Sequence, residues 1–174
     1  MKCIFSIMDN DNGLYIADEM NEWLKPQFDV IEVHHNGKEF EWPGIKATAD
    51  LSIQTNEPVL YIHTKGAAHG NQAQSPIRNW WKKELTHNIG AYIEALKTHD
   101  VVCPISGKEN HTWFNMFIAK PNAWKAIYDK LIEPKLDNRY FYEDMWINTD
   151  VDVYGVLCND IDHYNVTNIW KYVK

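Results

Sequence analysis

Residues 57–78, EPVLYIHTKGAAHGNQAQSPIR, decide the fold of this chain. They begin with an apolar run, residues 59–62, whose β-branched and aromatic side chains predict a strand buried on both faces. A polar turn with a glycine, His63-Thr64-Lys65-Gly66, follows, and Ser75 and Pro76 then favour the N-cap and the first turn of a helix. Open α/β sheets bind ligands beyond the carboxyl ends of their strands, so this turn is the predicted ligand site.

The first part of the chain indicates an α/β domain with a mostly parallel sheet. Residues 2–8 and 28–33 predict strands. Between them, Leu14, Ala17, Met20 and Leu24 recur at helical spacing and predict a helix that ends near Pro26. A strand, a helix and a strand in close succession form a βαβ unit, which implies that the two strands are parallel. We interpret residues 1–174 as one domain with a Rossmann-like sheet flanked by helices.

The remaining elements follow from periodicity and from glycine and proline. After an irregular stretch with Trp42 and Pro43, further helices are predicted at residues 45–54, from Pro76 to Leu96, around Trp124 up to Pro134, and from residues 140–146 to Gly155. Residues 100–104 predict a strand, residues 113–119 a buried segment, and the tail from residue 156 a short strand with an aromatic end. In the helix from Pro76, Arg78 lies off the apolar stripe and is expected on a polar face. The stripe consists of Ile77, Trp81, Leu85, Ile89, Ile93 and Leu96.

Composition and charge narrow the class of protein. The net charge of -7 argues against non-specific nucleic-acid binding, which needs a basic face. The amino terminus becomes acidic too soon for a signal peptide, and no run approaches the roughly 20 apolar residues of a membrane span. Cys3, Cys103 and Cys158 are far apart and stand in apolar contexts, which favours reduced thiols. These features predict a cytoplasmic protein.

Two clusters of polar residues could carry chemistry. The lysine and arginine of the first, Lys65 and Arg78, stand with His63 near a glycine turn and a helix start, which suits an anionic group such as a diphosphate. In the second, Glu143 and Asp144 stand at a predicted helix start, where the helix dipole favours ionised carboxylates. An ionised carboxylate can act as a general base on a hydroxyl group.

A third cluster offers the wall of a sugar or base pocket. Asn115 stands among the aromatic residues Trp113, Phe114 and Phe117, and one of Trp80 and Trp81 is expected to face the site. His34, His35 and His69 have no partner at metal-ligand spacing, so no metal site is assigned.

In this order, the clusters resemble glycosyltransferase-like proteins with an HTKG motif, among them the rhamnan-synthesis type of polysaccharide proteins. The resemblance covers about residues 45 to 150 and is carried by Leu60-Tyr61-Ile62-His63-Thr64-Lys65-Gly66, Arg78-Asn79-Trp80, Phe114-Asn115-Met116-Phe117-Ile118-Ala119 and Tyr142-Glu143-Asp144-Met145-Trp146. It implies a GT-A-type fold that transfers a sugar from a nucleotide-diphosphate donor to a hydroxyl acceptor, itself expected to be a carbohydrate.

The resemblance also implies roles for individual residues. Substrate binding falls to His63, Thr64, Lys65, Gly66, Arg78, Trp80 and Asn115. Asp144 is expected to be the base on the acceptor, with Glu143 second.

This chain departs from the pattern of the family at one point. GT-A-type strands end in Asp-x-Asp, which holds a divalent metal, whereas this strand ends in His63-Thr64-Lys65. We therefore expect Lys65 to neutralise the diphosphate directly, which makes a divalent metal doubtful. Asp-x-Asp does occur at residues 150–152 and 160–162, where we expect surface carboxylates.

Two other functions stay open at this point. The first is a non-catalytic nucleotide- or carbohydrate-binding module of the same fold, since 174 residues leave little room for an acceptor subdomain. The second is metal-dependent phosphoester chemistry at Asp9, Asp11 and another carboxylate. Residues 9–13 fit a ligand site and a solvated turn about equally well.

Overall fold

The computed structural model describes residues 1–69, 74–138, 140–161, 171 and 173. In this part of the chain six strands form one sheet: β1 (Lys2–Met8), β2 (Asp29–His35), β3 (Val59–His63), β4 (Val101–Gly107), β5 (Phe117–Ala119) and β6 (Val153–Ile161). The helices are α1 (Asp11–Leu24), α2 (Trp42–Thr55), α3 (Ser75–His87), α4 (Ile89–Ala95), α5 (Pro121–Ile127) and α6 (Phe141–Asp144).

The sheet is mixed but mostly parallel. Its strand order is β2-β1-β3-β5-β4-β6. The pairs β1–β2, β1–β3 and β4–β6 are parallel, whereas β5 is antiparallel to both β3 and β4. Every described strand except β5 therefore runs in the same direction, and the carboxyl ends of β1, β2 and β3 meet at one edge. The prediction of an α/β fold with a mostly parallel sheet flanked by helices is confirmed, and the sheet is compatible with a Rossmann-like fold.

Two apolar clusters cover the two faces of the sheet, as expected for largely parallel strands. Alternate residues of β3 divide between the clusters. Leu60 and Ile62 pack with α1, α3 and α4, whereas Val59 and Tyr61 pack with α2 and α5. All five residues of β3 are buried, so the strand that carries the predicted site is fixed from both sides.

Two predicted helix starts are wrong. Trp42 and Pro43 belong to the first turn of α2, which is longer than the predicted helix 45–54. Proline suits a first helical turn because it has no N–H that would need a partner there. In α3 the N-cap is Gln74, and Ser75 is the first helical residue.

The predicted long helix from Pro76 to Leu96 is divided. It breaks at Asn88, whose backbone leaves the helical conformation. Ile93, a member of the predicted apolar stripe, is exposed, whereas its neighbour Tyr92 is buried. The break rotates α4 relative to α3, so a single periodicity cannot describe both helices.

The predicted last helix is also wrong. It was expected to run from residues 140–146 to Gly155, but α6 is only one turn long and Gly155 lies in β6. A Cβ atom on Gly155 would lie 2.0 Å from the Cys158 carbonyl oxygen and 2.5 Å from the Ser106 nitrogen. This glycine permits a close approach beside an irregularity in the β4–β6 pairing rather than ending a helix.

Three further predictions concern the cysteines, the tail and membrane spans. Cys3 and Cys103 are free and buried, and burial raises the pKa of both thiols; Cys158 is half-buried. The strand predicted in the tail corresponds to the end of β6, whereas the aromatic end lies mostly outside the described residues. Among the described helices, none is both long and apolar enough to cross a membrane.

Candidate functional site

A cavity of about 390 Å³ lies at the carboxyl ends of β1, β2 and β3. Its walls come from the ends of these strands, from the turn after β3, from the segment before α2 and from the start of α6. Met8, His35, Glu41, His63, Lys65 and Glu143 are among the residues that line it. The volume lies within the range of small-molecule sites, about 300–1,000 Å³, and the position is the one at which parallel sheets bind ligands.

The turn after β3 is held by backbone and hydroxyl contacts to β1. The Thr64 N–H donates to the Ser6 carbonyl oxygen (3.0 Å), and the Met8 N–H donates to the Thr64 hydroxyl (3.1 Å). Gly66 has a φ of 95°, a left-handed conformation that glycine adopts without steric cost. Thr64, Lys65 and Gly66 all line the cavity, so the structure brings these predicted site residues together.

Arg78 supports the turn from behind. Its side chain is 4% exposed and does not line the cavity, so the expectation of a polar, solvent-facing position is wrong. Its Nη1 donates to the Lys65 carbonyl oxygen (2.9 Å), and its Nη2 lies 3.6 Å from Glu19 Oε2. Since a buried guanidinium needs acceptors, these contacts fix both Arg78 and the backbone of Lys65.

Trp80 and Asn115 are also buried behind the cavity. The rings of Trp80 and Phe114 pack in a T-shaped arrangement (6.2 Å between centroids). The Asn115 side-chain amide donates to Glu41 Oε2. Phe114 and Asn115 both have positive φ values, 63° and 54°, which non-glycine residues adopt rarely and at a cost. Trp80 and Asn115, both predicted to bind substrate, therefore support the wall of the cavity from behind and do not line it.

Glu41 is a site residue that sequence reasoning missed. His63 Nδ1 donates to Glu41 Oε1 (2.8 Å), and Asn115 binds the other oxygen. Burial opposes ionisation of Glu41, but the charge and hydrogen bond of His63 outweigh it, together with Lys65 and Asn115, and the pKa of Glu41 lies below its ordinary value. The sequence did contain a signal for Glu41: it is an acid directly before Trp42-Pro43, and an acid and a proline together are typical of a helix start.

His35 forms another part of the wall. Its Nδ1 accepts a hydrogen bond from the Gly37 N–H (3.2 Å). Burial and the nearby charge of His63 lower the pKa of His35, so its neutral form is favoured. The cavity thus combines a carboxylate held by His63 with a histidine that resists protonation.

The two predicted catalytic acids occupy different positions. Glu143 lines the cavity, and its Oε1 lies 3.8 Å from Lys65 Nζ. Asp144 does not line the cavity, and its Oδ1 accepts a hydrogen bond from His111 Nδ1 (2.6 Å). His111 is 1% exposed, and its Nε2 lies 3.7 Å from Glu143 Oε2. His111, which sequence reasoning did not select, therefore lies between the two acids.

The side chains at the end of β3 do not fit a divalent metal. A cation there would meet the ammonium group of Lys65, and the described residues contain no cluster of three or more His, Cys, Asp or Glu side chains that could hold a metal. Asp150 and Asp152 are exposed, as expected, and Asp152 pairs with His99 (2.7 Å). The other Asp-x-Asp, at residues 160–162, falls on side chains that lie outside the description.

The turn after β1 serves to begin α1. The Asn10 side chain accepts a hydrogen bond from the Gly13 N–H (2.7 Å), as an N-cap does, and donates to the Ala67 carbonyl oxygen (3.2 Å). Asp9 pairs with His34 Nδ1 (2.7 Å), and Asp11 is exposed in the first turn of α1. Neither aspartate lines the cavity.

Comparison with protein-family models, with curated proteins and with solved structures gave no match for this chain.

Proposed function

We propose that this protein is a glycosyltransferase of GT-A type, which moves a sugar from a nucleotide-diphosphate donor to a hydroxyl acceptor. The observation that supports this function best is the meeting of Lys65 and Glu143 across 3.8 Å in one cavity at the carboxyl ends of parallel strands. A cation for the departing diphosphate thus lies beside a carboxylate that can take the proton of the attacking hydroxyl.

Lys65 binds the donor diphosphate in this proposal. The bond from the sugar to the diphosphate breaks, and the negative charge that develops on the leaving oxygen is stabilised by the lysine ammonium. Thr64 and Gly66 line the cavity beside Lys65, and Arg78 holds the Lys65 carbonyl oxygen. Arg78 is thus assigned to positioning the turn rather than to contacting the diphosphate.

Glu143 acts as the base on the acceptor. The acceptor oxygen forms the new bond to the sugar, and its proton passes to the Glu143 carboxylate. Glu143 takes this role before Asp144 because Glu143 lines the cavity and Asp144 is bound to His111. Asp144 then serves as a positioning residue that acts through His111.

Binding is tested by calorimetry with a panel of nucleotide-diphosphate sugars. Lys65→Ala should weaken donor binding about tenfold or more, the usual effect of losing a charge-assisted hydrogen bond. Lys83→Ala removes an exposed lysine from α3 and is the matched control, with unchanged affinity. Absence of binding of every donor to the wild-type chain contradicts the proposal.

A carbohydrate-binding module is the second candidate, and the lining of the cavity favours it. Among the described residues around the cavity, Lys65 stands as the single lysine or arginine beside two carboxylates, Glu41 and Glu143. Carboxylates accept hydrogen bonds from sugar hydroxyls, and the rings of Phe40 and Tyr140 offer apolar surface. Tight binding of a neutral oligosaccharide, with no turnover of any donor, would establish this function instead.

A further inference from the structure

We propose that the Lys65–Glu143 pair is the closed form of the anion site. In this form the Glu143 carboxylate pairs with the Lys65 ammonium group until an anionic ligand replaces the carboxylate. The diphosphate then takes over Lys65 Nζ and releases the carboxylate toward the acceptor hydroxyl. The assignment of the ligand as a diphosphate rests on the proposed function. The exchange itself follows from the contacts of the two side chains.

The contact between the two side chains is a loose ion pair. Lys65 Nζ lies 3.8 Å from Glu143 Oε1, which exceeds hydrogen-bonding distance. The side chains are 22% and 17% exposed, so solvent and ligands reach both of them. The pair can therefore open without breaking a hydrogen bond between its members.

The backbones on both sides of the pair are held in place. The Lys65 N–H donates to the His63 carbonyl oxygen (2.8 Å), and the Lys65 carbonyl oxygen accepts a hydrogen bond from Arg78. On the opposite side, the Glu143 carbonyl oxygen accepts from the Thr112 N–H (3.1 Å). Any rearrangement is thus confined to two long side chains on fixed backbones, which change rotamer readily.

Glu143 and Lys65 each contact a further side chain in addition to one another. Glu143 Oε2 lies 3.7 Å from His111 Nε2, and Asp144 holds the opposite nitrogen of that imidazole. Lys65 Nζ lies 5.7 Å from the centre of the Phe114 ring, a distance at which a cation and a ring face attract each other. The carboxylate therefore remains in a polar contact when an anion takes the lysine.

Glu143 should then lower the affinity of the site for free anions. Its carboxylate competes for the lysine and repels a second negative group, so an incoming diphosphate must overcome both effects. Linkage is reciprocal: whatever weakens the hold of Glu143 on Lys65 strengthens the hold of the anion. Removing the negative charge at position 143 should raise the affinity for diphosphate.

Calorimetric titration with inorganic pyrophosphate, without divalent metal, tests this exchange. Glu143→Gln should bind pyrophosphate about three- to tenfold more tightly than the wild type, a gain typical of removing one partly exposed charge pair. Glu143→Ala should shift the affinity in the same direction, which guards against a folding defect peculiar to one variant. Circular dichroism checks that each variant is folded.

The matched control is Glu133→Gln, the same substitution at an exposed position away from the cavity. It changes the net charge equally and should leave the affinity for pyrophosphate unchanged. Equal or weaker binding by both Glu143 variants overturns the exchange, as does an equal gain in Glu133→Gln. The proposed sugar transfer fails separately if Glu143→Gln shows the gain while the wild type turns over no nucleotide sugar.

Discussion

At the scale of single residues, the candidate site depends on buried polar groups that hold exposed ones. Glu41 joins three segments, because its carboxylate binds His63 at the end of β3 and Asn115 before β5. Arg78 likewise joins α3 to the turn at Lys65. Polar groups with little access to water are costly when they lose a partner, so Arg78 fixes the geometry of the cavity from behind, and Glu41 fixes it while lining the cavity.

Replacing Arg78 should lower both the stability of the fold and the affinity for diphosphate. Arg78→Met keeps an apolar stem but leaves the Lys65 carbonyl oxygen and Glu19 without their partner. We expect a loss of roughly 1–3 kcal/mol in the free energy of unfolding, the usual cost of an unsatisfied buried group. Diphosphate affinity should also fall, because the turn that presents Lys65 is less well held.

Urea unfolding measures the stability change, with Lys82→Met on the exposed side of the same helix as the control. An Arg78→Met variant as stable as Lys82→Met, with unaltered diphosphate affinity, would show that the turn stands without the arginine.

At the scale of elements, α2 sets the position of Glu41. The helix lies so close to the sheet that a Cβ atom on Gly44 would lie 2.5 Å from the Cβ of Ser6 and 3.0 Å from the Tyr61 ring. Glu41 directly precedes this helix. The close approach of α2 to β1 and β3 therefore brings the carboxylate to His63.

Gly44→Ala should displace α2 from the sheet. We expect a loss of about 1–3 kcal/mol in stability, as for other overpacked sites, together with weaker ligand binding through a shifted Glu41. Gly90→Ala is the matched control, since a Cβ atom there meets nothing within 4 Å in the helix α4. That change should stabilise the protein by about 0.5–1 kcal/mol, because alanine is the better helix former. Thermal unfolding distinguishes the two outcomes, and equal effects of both substitutions would contradict the close packing.

The elements also show what the sequence can predict and what it cannot. The strands β1 and β3 and the helix α1 were predicted because a buried apolar run or a regular stripe specifies them directly. The extent of α2, the break at Asn88 and the strand around Gly155 were not predicted. The apolar stripe continues across Asn88, so periodicity does not mark the break, and the strand depends on the close approach of Gly155 to Ser106, which is distant in sequence. Glycine beside a neighbouring strand and glycine after a helix look alike in a sequence.

At the scale of the whole molecule, the ionisation of Glu41 couples the site to the stability of the fold. Its pKa is lowered in the folded state from the ordinary value of 4.5. Such a group stabilises the fold above pH 4.5, and this contribution is lost as the pH falls through the lowered pKa. His35, whose pKa is also lowered, from 6.5, acts in the same direction at less acidic pH.

Glu41→Gln should therefore reduce the acid sensitivity of the fold. Near neutral pH we expect the variant to be less stable than the wild type by roughly 1–3 kcal/mol, since His63 loses a carboxylate partner. The difference should shrink as the pH falls below about 4.5, because the wild-type carboxylate becomes neutral. Urea unfolding between neutral and acidic pH measures this, with the exposed Glu57→Gln as the control. A difference that stays constant with pH would contradict the proposed ionisation.

The location of the candidate site could be predicted from the sequence, but not the partnerships within it. The turn at residues 63–66 follows a buried strand, so its place at the sheet edge follows from the fold class. The pairing of Glu41 with His63 and of His111 with Asp144 joins residues 22 and 33 positions apart, and nothing local in the sequence indicates either. The inward position of Arg78 likewise depends on the carbonyl group that it meets.

A structure of the chain with a nucleoside diphosphate bound tests directly whether this cavity is the donor site. The diphosphate should lie in the cavity beside residues 63–66, with an oxygen within hydrogen-bonding distance of Lys65 Nζ and with Glu143 turned away from the lysine. A diphosphate bound elsewhere would contradict the assignment of this cavity as the donor site, and one bound in the cavity while Lys65 and Glu143 remain paired would contradict the exchange.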